Sequence, residues 1–281
     1  MTADPLTLDD FTFVAAFVHD RAAIVLDASK EYLVQARLRP LVRQFECDSI
    51  HALIACLRER PTRELEQAVV EALTTNETHF FRDTAFYEVL RDGVLPRLIA
   101  ARRASRRLTM WCAACSSGQE PYSVLMLIHE HFPEILGWNF KFIVSDISQE
   151  MLERTRDGRY TQHETNRGLP AQLLTKYLDR DGIKWQMKPN FRKLLDVREV
   201  NLAKAWAPMP PIDIVFMRNV LIYFGVDTKR EILARVGKVM SPDGLLFLGG
   251  SETLFGIDDT FRRSEFGKAS CYGLAKVPVS P

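Results

Sequence analysis

Hydrophobic and polar positions follow two different rhythms along this chain. From Leu8 to about Leu73 the apolar residues recur every three to four positions, the spacing of amphipathic helices. Thr7 precedes Asp9 and Asp10, a cap followed by carboxylates in the first turn, which predicts a helix starting at Leu8. Further helical runs are predicted over 32–42 and 50–57. No glycine occurs before Gly93, so the turns rely on Pro40, Pro61 and polar residues. A small all-helical domain is therefore predicted over 1–75.

After about Arg107 short apolar runs alternate with amphipathic stretches. The pattern predicts strands over 108–114, 140–146, 212–217 and 244–248, with helices over 122–131, 150–156 and 228–239. Buried strands separated by helices give a largely parallel, doubly wound α/β sheet of Rossmann-like type. The catalytic domain is expected over 108–281. The stretch 158–198 breaks the rhythm and is expected to be an inserted β-subdomain. The stretch 76–107 is expected to be a linker that contributes to the ligand site.

Composition narrows the class without naming a function. The chain has 281 residues, 47% hydrophobic and 26% charged, enough to build a sizeable core. A net charge of +1 gives no footprint of a nucleic-acid binder. The start lacks a basic region, and Asp9, Asp10, His19, Asp20 and Arg21 interrupt the apolar residues that follow, so no signal peptide is expected. No apolar run approaches the roughly 20 residues that span a bilayer. Five cysteines, an odd number, read as reduced thiols in the cytoplasm. His129 and His131 stand two apart on a predicted helix and do not face one metal, so no metal site is expected.

Ligands of doubly wound sheets sit beyond the carboxyl ends of the strands. The first predicted strand there delivers Ala114-Cys115-Ser116-Ser117-Gly118-Gln119-Glu120, whose small residues let a ligand approach the backbone. The G-x-G-x-x-G pyrophosphate fingerprint is absent, which favours a ligand without phosphates. Asp146 ends the second strand, where a carboxylate can accept from two ribose hydroxyls. It could instead cap the next helix, though Ser148 is available for that. Glu120 suits an ammonium group, such as that of S-adenosylmethionine. Trp111-Cys112-Ala113-Ala114-Cys115 also reads as a thioredoxin-like W-C-x-x-C, which supplies a rival: a thiol–disulfide oxidoreductase using Cys112 and Cys115.

Five strings occur in order: N-x-T-x-F-F-R from Asn76, A-x-S-S-G-Q-E-P-Y-S from Ala114, S-D-I from Ser145, R-N-V-L-I-Y-F from Arg218 and S-P-D-G-L-L-F-L-G-G-S-E from Ser241. Together they resemble the chemotaxis receptor methyltransferases of the CheR family over nearly the whole chain. The resemblance implies a protein-glutamate O-methyltransferase. It would use S-adenosylmethionine, leave S-adenosylhomocysteine, and act on the cytoplasmic helical region of methyl-accepting chemoreceptors. It further implies cofactor contacts at Asn76, Thr78, Arg82, Glu120, Asp146, Asn201, Leu202, Arg218 and Asn219. Arg82 and Tyr223 would lie nearest the transferring methyl. The loop that some members use to hold a receptor tail peptide is reduced here to Asp179-Arg180-Asp181-Gly182-Ile183, so tail docking is not expected. Arg37, Arg39 and Arg43 give one helix a basic face suited to an acidic receptor segment; a plain solvated stripe is the competing reading. A sensor that binds S-adenosylmethionine without catalysis is the third hypothesis.

Overall fold

The computed structural model describes residues 6–264, 266 and 269–275; Met1–Pro5, where a signal peptide was discounted, lie outside them. The chain divides into two compact units.

The first unit takes residues 1–75 together with 223–228. Four helices build it: α1 (Leu8–Ala22), α2 (Glu31–Gln44), α3 (Ile50–Glu59) and α4 (Arg63–Leu73). Three of them start on hydroxyl caps, which accept from backbone amides left unpaired by the helix: Thr7 from Asp10 N, Ser49 from Ala52 N and Thr62 from Leu65 N. Val14, Val18, Val34, Leu38, Leu53, Ile54, Val69 and Leu73 fill the interior, one apolar stripe per helix. The late segment joins it through an antiparallel bridge between Ile24 and Phe224, with Val25 N donating to Tyr223 O at 2.9 Å.

The second unit begins at Asn76. Its first elements are α5 (Thr84–Val89), a single π-helical turn (Leu90–Val94) and α6 (Leu95–Arg102). They bury Phe86, Tyr87, Leu90, Val94, Leu95 and Leu98 in the same core as the sheet. The 76–107 stretch is thus an integral part of this unit and not a linker.

There follow β1 (Arg107–Ala113), α7 (Gln119–His131), β2 (Asn139–Asp146), α8 (Gln149–Asp157), β3 (Arg159–Thr161), α9 (Gln162–Asn166), α10 (Ala171–Tyr177), β4 (Leu178–Asp181), β5 (Lys184–Met187), α11 (Pro189–Arg192), β6 (Leu195–Glu199), β7 (Ile212–Phe216), α12 (Val226–Val239), β8 (Met240–Phe247), β9 (Phe261–Arg263) and β10 (Cys271–Leu274). The main sheet runs β6-β2-β1-β7-β8-β10-β9, parallel from β6 to β8 and antiparallel beyond. Strand order reverses around β1, so the crevice for a ligand lies beyond the carboxyl ends of β1, β2 and β7.

The small antiparallel sheet β3-β5-β4 is the expected inserted lobe. It ends earlier than residue 198, because Leu195–Glu199 pairs in parallel with Phe142–Asp146 and belongs to the main sheet. Alternation in Leu195-Asp196-Val197-Arg198-Glu199 is what an edge strand half open to water requires, and it resembles the lobe's own strands locally.

Candidate functional site

Three parallel registers bring the ligand edge level: Ala113 stands opposite Ser145, Cys112 opposite Phe216 and Asp146 opposite Glu199. The loop between β1 and α7 is forced into an unusual shape there. Ala114 (φ 62°), Ser116 (φ 49°) and Gly118 (φ 91°) all adopt left-handed backbone, which only glycine takes without strain. Hydrogen bonds from several elements hold it: Thr155 Oγ1 donates to Ser116 O and Tyr160 OH to Ser117 O, each at 2.8 Å. A side chain at Gly118 would press on those same two groups.

Asp146 is 6% exposed. Its Oδ2 accepts from Ser116 N (2.8 Å) and its Oδ1 from Ser148 N (3.0 Å), which fixes the carboxylate at the carboxyl end of β2. The Ser148 hydroxyl accepts from Met151 N in the first turn of α8. The cap of that helix therefore comes from Ser148 and not from Asp146. Asn201 and Leu202 follow β6 at this edge, where Val200 N donates to Asp146 O; the Asn201 side chain accepts from Ala203 N and Leu202 is buried.

Arg218 organises the other half. Its side chain is 1% exposed and lies over the Phe86 ring, 4.2 Å from the centroid. It donates to Glu120, to Asp83 Oδ2 (2.6 Å) and to the carbonyl of Arg82 (2.9 Å). Burial works against its charge, yet the Glu120 and Asp83 carboxylates hold its pKa above the ordinary arginine value. One guanidinium thus joins α7, the turn after β7 and the 76–83 segment. That segment is itself sharply bent: Phe81 (φ 50°) and Asp83 (φ 62°) are left-handed on either side of Arg82, whose guanidinium donates to Glu77 O at 3.0 Å. Asn76 joins through its carbonyl, which accepts from Ser116 Oγ (2.8 Å), and Thr78 is half-buried in the same segment.

One buried polar atom here, Arg218 Nε, has no hydrogen-bond partner among the described residues. Orphaned buried donors are rare in folded chains and mark places where a ligand supplies the acceptor. An amino-acid carboxylate near Arg218 Nε, an ammonium near Glu120 and a ribose near Asp146 match the donor and acceptor set of S-adenosylmethionine.

Asn219 (φ 58°) is pinned by a residue that sequence reasoning did not select. Buried Glu252 accepts from Asn219 N and Gly249 N, both at 2.7 Å, and from Ile222 N at 3.3 Å. The signal available was the closing Glu of the G-G-S-E string.

Tyr223 groups with the helical unit, in the short turn Leu221–Tyr223. So do Arg37, Arg39 and Arg43. Arg37 donates to Leu73 O (3.1 Å), Thr74 O (2.8 Å) and Thr75 Oγ1 (3.1 Å), capping the end of α4, whereas Arg39 and Arg43 are exposed. Cys112 and Cys115 are buried, and the Cys112 thiol donates to Glu120 Oε1. Burial, then the charge of Glu120, pushes Cys112 well up; burial, then Asp146, does the same for Cys115. The exposed, reactive pair that an oxidoreductase needs is not there. The tight turn between β4 and β5 holds only Gly182 and Ile183.

Fold and site together define an S-adenosylmethionine-binding methyltransferase. Residues 76–269 match the model of the CheR methyltransferase SAM-binding domain and residues 9–74 that of the CheR methyltransferase all-alpha domain. The chain belongs to the CheR methyltransferase family. It is 40% identical over 257 residues to the chemotaxis protein methyltransferase Cher2 of Pseudomonas putida, covering 90% of this chain and 93% of that one. It is 39% identical over 278 residues to a chemotaxis protein methyltransferase of Vibrio parahaemolyticus (98% and 100% covered). The Escherichia coli chemotaxis protein methyltransferase is 33% identical over 279 residues (96% and 93%).

Proposed function

We propose that this chain forms methyl esters on glutamate side chains in the cytoplasmic helical region of chemoreceptors, working in the cytoplasm. The observation that carries the reading is the buried Asp146 carboxylate, aimed by two backbone amides at the carboxyl end of β2. Among the described residues no helix is long and apolar enough to cross a membrane.

Bound S-adenosylmethionine supplies an electrophilic methyl on a sulfonium. Asp146 accepts from the ribose hydroxyls, Glu120 faces the ammonium, and Arg218 Nε donates to the amino-acid carboxylate. Asn76, Thr78, Asn201, Leu202 and Asn219 complete the lining. A glutamate acceptor, with an ordinary pKa near ~4.3, is already ionised at neutral pH, so no general base is required. The residues nearest the reaction then have to align the acceptor and exclude water. Arg82 orients the acceptor as a charge-assisted donor. Tyr223 shapes the wall or adds a hydroxyl. Arg39 and Arg43, exposed on α2, steer the acidic receptor segment, and Arg37 completes that face while capping α4. Receptor capture through a tail peptide does not fit the two-residue turn between β4 and β5.

The test is transfer of labelled methyl to receptor cytoplasmic fragments by wild type and by Asp146→Ala. The variant should bind S-adenosylhomocysteine more weakly by about 1.5–3 kcal/mol, the range for a charged hydrogen-bond partner. Unchanged affinity in a calorimetric titration removes Asp146 from the ribose role.

A further inference from the structure

The turn after β8 presents a large apolar side chain to water and holds it there. Phe255 is 92% exposed, beside Leu254 at 2%. An exposed aromatic on a loose loop would mean little, but this loop is tied at several points. Leu254 is its buried anchor, and Leu254 O accepts from Ile257 N (3.0 Å) and Asp258 N (3.3 Å). Phe255 N donates to Thr253 Oγ1 at 3.2 Å. Gly256 takes left-handed backbone (φ 71°), which turns the chain straight back after Phe255. Arg230 Nε, on α12, donates to Ile257 O at 3.1 Å. The ring therefore has an ordered backbone beneath it and water around it.

The same turn is wired to the site. Glu252, three residues earlier, accepts from the backbone of Asn219 with one carboxylate oxygen and from that of Ile222 with the other. Ile222 is itself 50% exposed. Phe255 and Ile222 are thus two exposed apolar side chains on backbone that one buried carboxylate ties to a cofactor-site residue. They stand at the carboxyl edge of the parallel strands, where an acceptor must present its carboxylate. A small acceptor would leave both side chains in water. A protein acceptor covers this edge, and rigid aromatics that become buried on association are where binding energy concentrates.

We propose that Phe255, with Ile222, docks the protein substrate by receiving an apolar side chain that flanks the acceptor glutamate. The proposal rests on the reading that the substrate is a receptor segment. Carboxylate recognition alone selects any acidic segment, whereas an apolar contact beside it selects a glutamate with an apolar neighbour on the same face.

Methylation kinetics with a receptor cytoplasmic fragment test it, using wild type, Phe255→Ser, Phe255→Leu and Ile222→Ser. Phe255→Ser should raise KM for the fragment by roughly 5–30-fold, the effect of truncating an interface anchor. Its kcat and its affinity for S-adenosylhomocysteine should stay near wild type. Phe255→Leu should restore most of the loss, and Ile222→Ser should show a smaller rise in KM. Because Phe255 is exposed, none of these outcomes should follow a fall in thermal stability. If wild type methylates the fragment and Phe255→Ser has the same KM, the docking role is wrong while the receptor reading stands. A change confined to self-association, read by light scattering, assigns the ring to a second copy and also overturns it. If wild type transfers no methyl to any receptor fragment, the receptor reading falls and takes this proposal with it.

Discussion

Arginine clusters with carboxylates occur at both ends of the same parallel strands, and they are finished to different degrees. At the amino ends, Arg102 closes the bottom of the sheet. Its Nε and Nη2 donate to Asp213, and its Nη1 and Nη2 to Asp243. Asp213 also accepts from Thr109 N and Ser241 Oγ, which ties β1, β7, β8 and α6 together. The Asp243 hydrogen bond, opposed by burial, leaves the Arg102 pKa well above its ordinary value. At the carboxyl ends, Arg218 is more deeply buried and also lies between two carboxylates, yet its Nε has no partner among the described residues. Completeness separates a structural bolt from a binding site. Where every donor is matched the cluster can only stabilise; where one is left over, a ligand finishes the arrangement.

The sharpest way to break this comparison is to remove each arginine. Arg218→Ala leaves Glu120 facing the interior without its cation, and should cost about 3–5 kcal/mol of stability, as breaking a buried ion pair does. It should also abolish measurable S-adenosylhomocysteine binding in the fraction that remains folded. Retained binding would show that the orphaned Nε has no ligand to meet.

Arg102→Ala should cost less, about 1–3 kcal/mol for leaving Asp213 under-satisfied, with cofactor affinity intact. Its pH dependence is a separate check. Arg102 holds the Asp243 carboxyl below the usual carboxylate range. A depressed folded-state pKa contributes stability above the unfolded value, and that contribution is lost as pH falls through the folded one. Urea midpoints of wild type should therefore drop on acidification below about pH 4, and this part of the drop should vanish in Arg102→Ala. Parallel acid limbs would deny Asp243 that role.

Arg82→Ala should lower kcat by at least ~10-fold, or 1.4 kcal/mol, while stability changes little, since its guanidinium meets a carbonyl and no buried carboxylate. Full methyl transfer by this variant would remove Arg82 from the reaction, whereas absence of transfer by wild type that still binds the cofactor would favour the sensor. Smallest of all is the Cys112→Ala, Cys115→Ala double variant, which should keep most activity. Loss of transfer in a folded double variant would restore the thiol reading.

What the sequence made legible, and what it hid, follows the range of the interactions. Buried strands such as Phe142–Asp146 advertise themselves by continuous apolar residues, and Ser116, Gly118 and Asp146 by small or charged residues where packing has no use for them. Glu252 was not selected because its hydrogen bonds reach back to Asn219, and no local periodicity encodes such a span. Arg102 lies among four arginines at 102–107, and nothing local to that run points to Asp213 and Asp243, which only the fold brings beneath it. The expected lobe, 158–198, took in most of the strand Leu195–Glu199 because an edge strand alternates like a hairpin strand. Arg37 read as surface charge, although the carbonyls at the end of α4 are where its donors go.

One consequence of the β1–α7 loop concerns editing the chain. Its Ser116 and Ser117 carbonyls are held by Thr155 at the end of α8 and by Tyr160 on β3, the first strand of the lobe. The lobe looks like an appendage that could be trimmed or swapped between relatives. Cutting it away would remove the Tyr160 hydroxyl from Ser117 and let the loop relax toward right-handed backbone, erasing the shape that fixes Asp146. A chimera that exchanges this lobe must carry the tyrosine with it, and a minimal version of the enzyme cannot begin by deleting it.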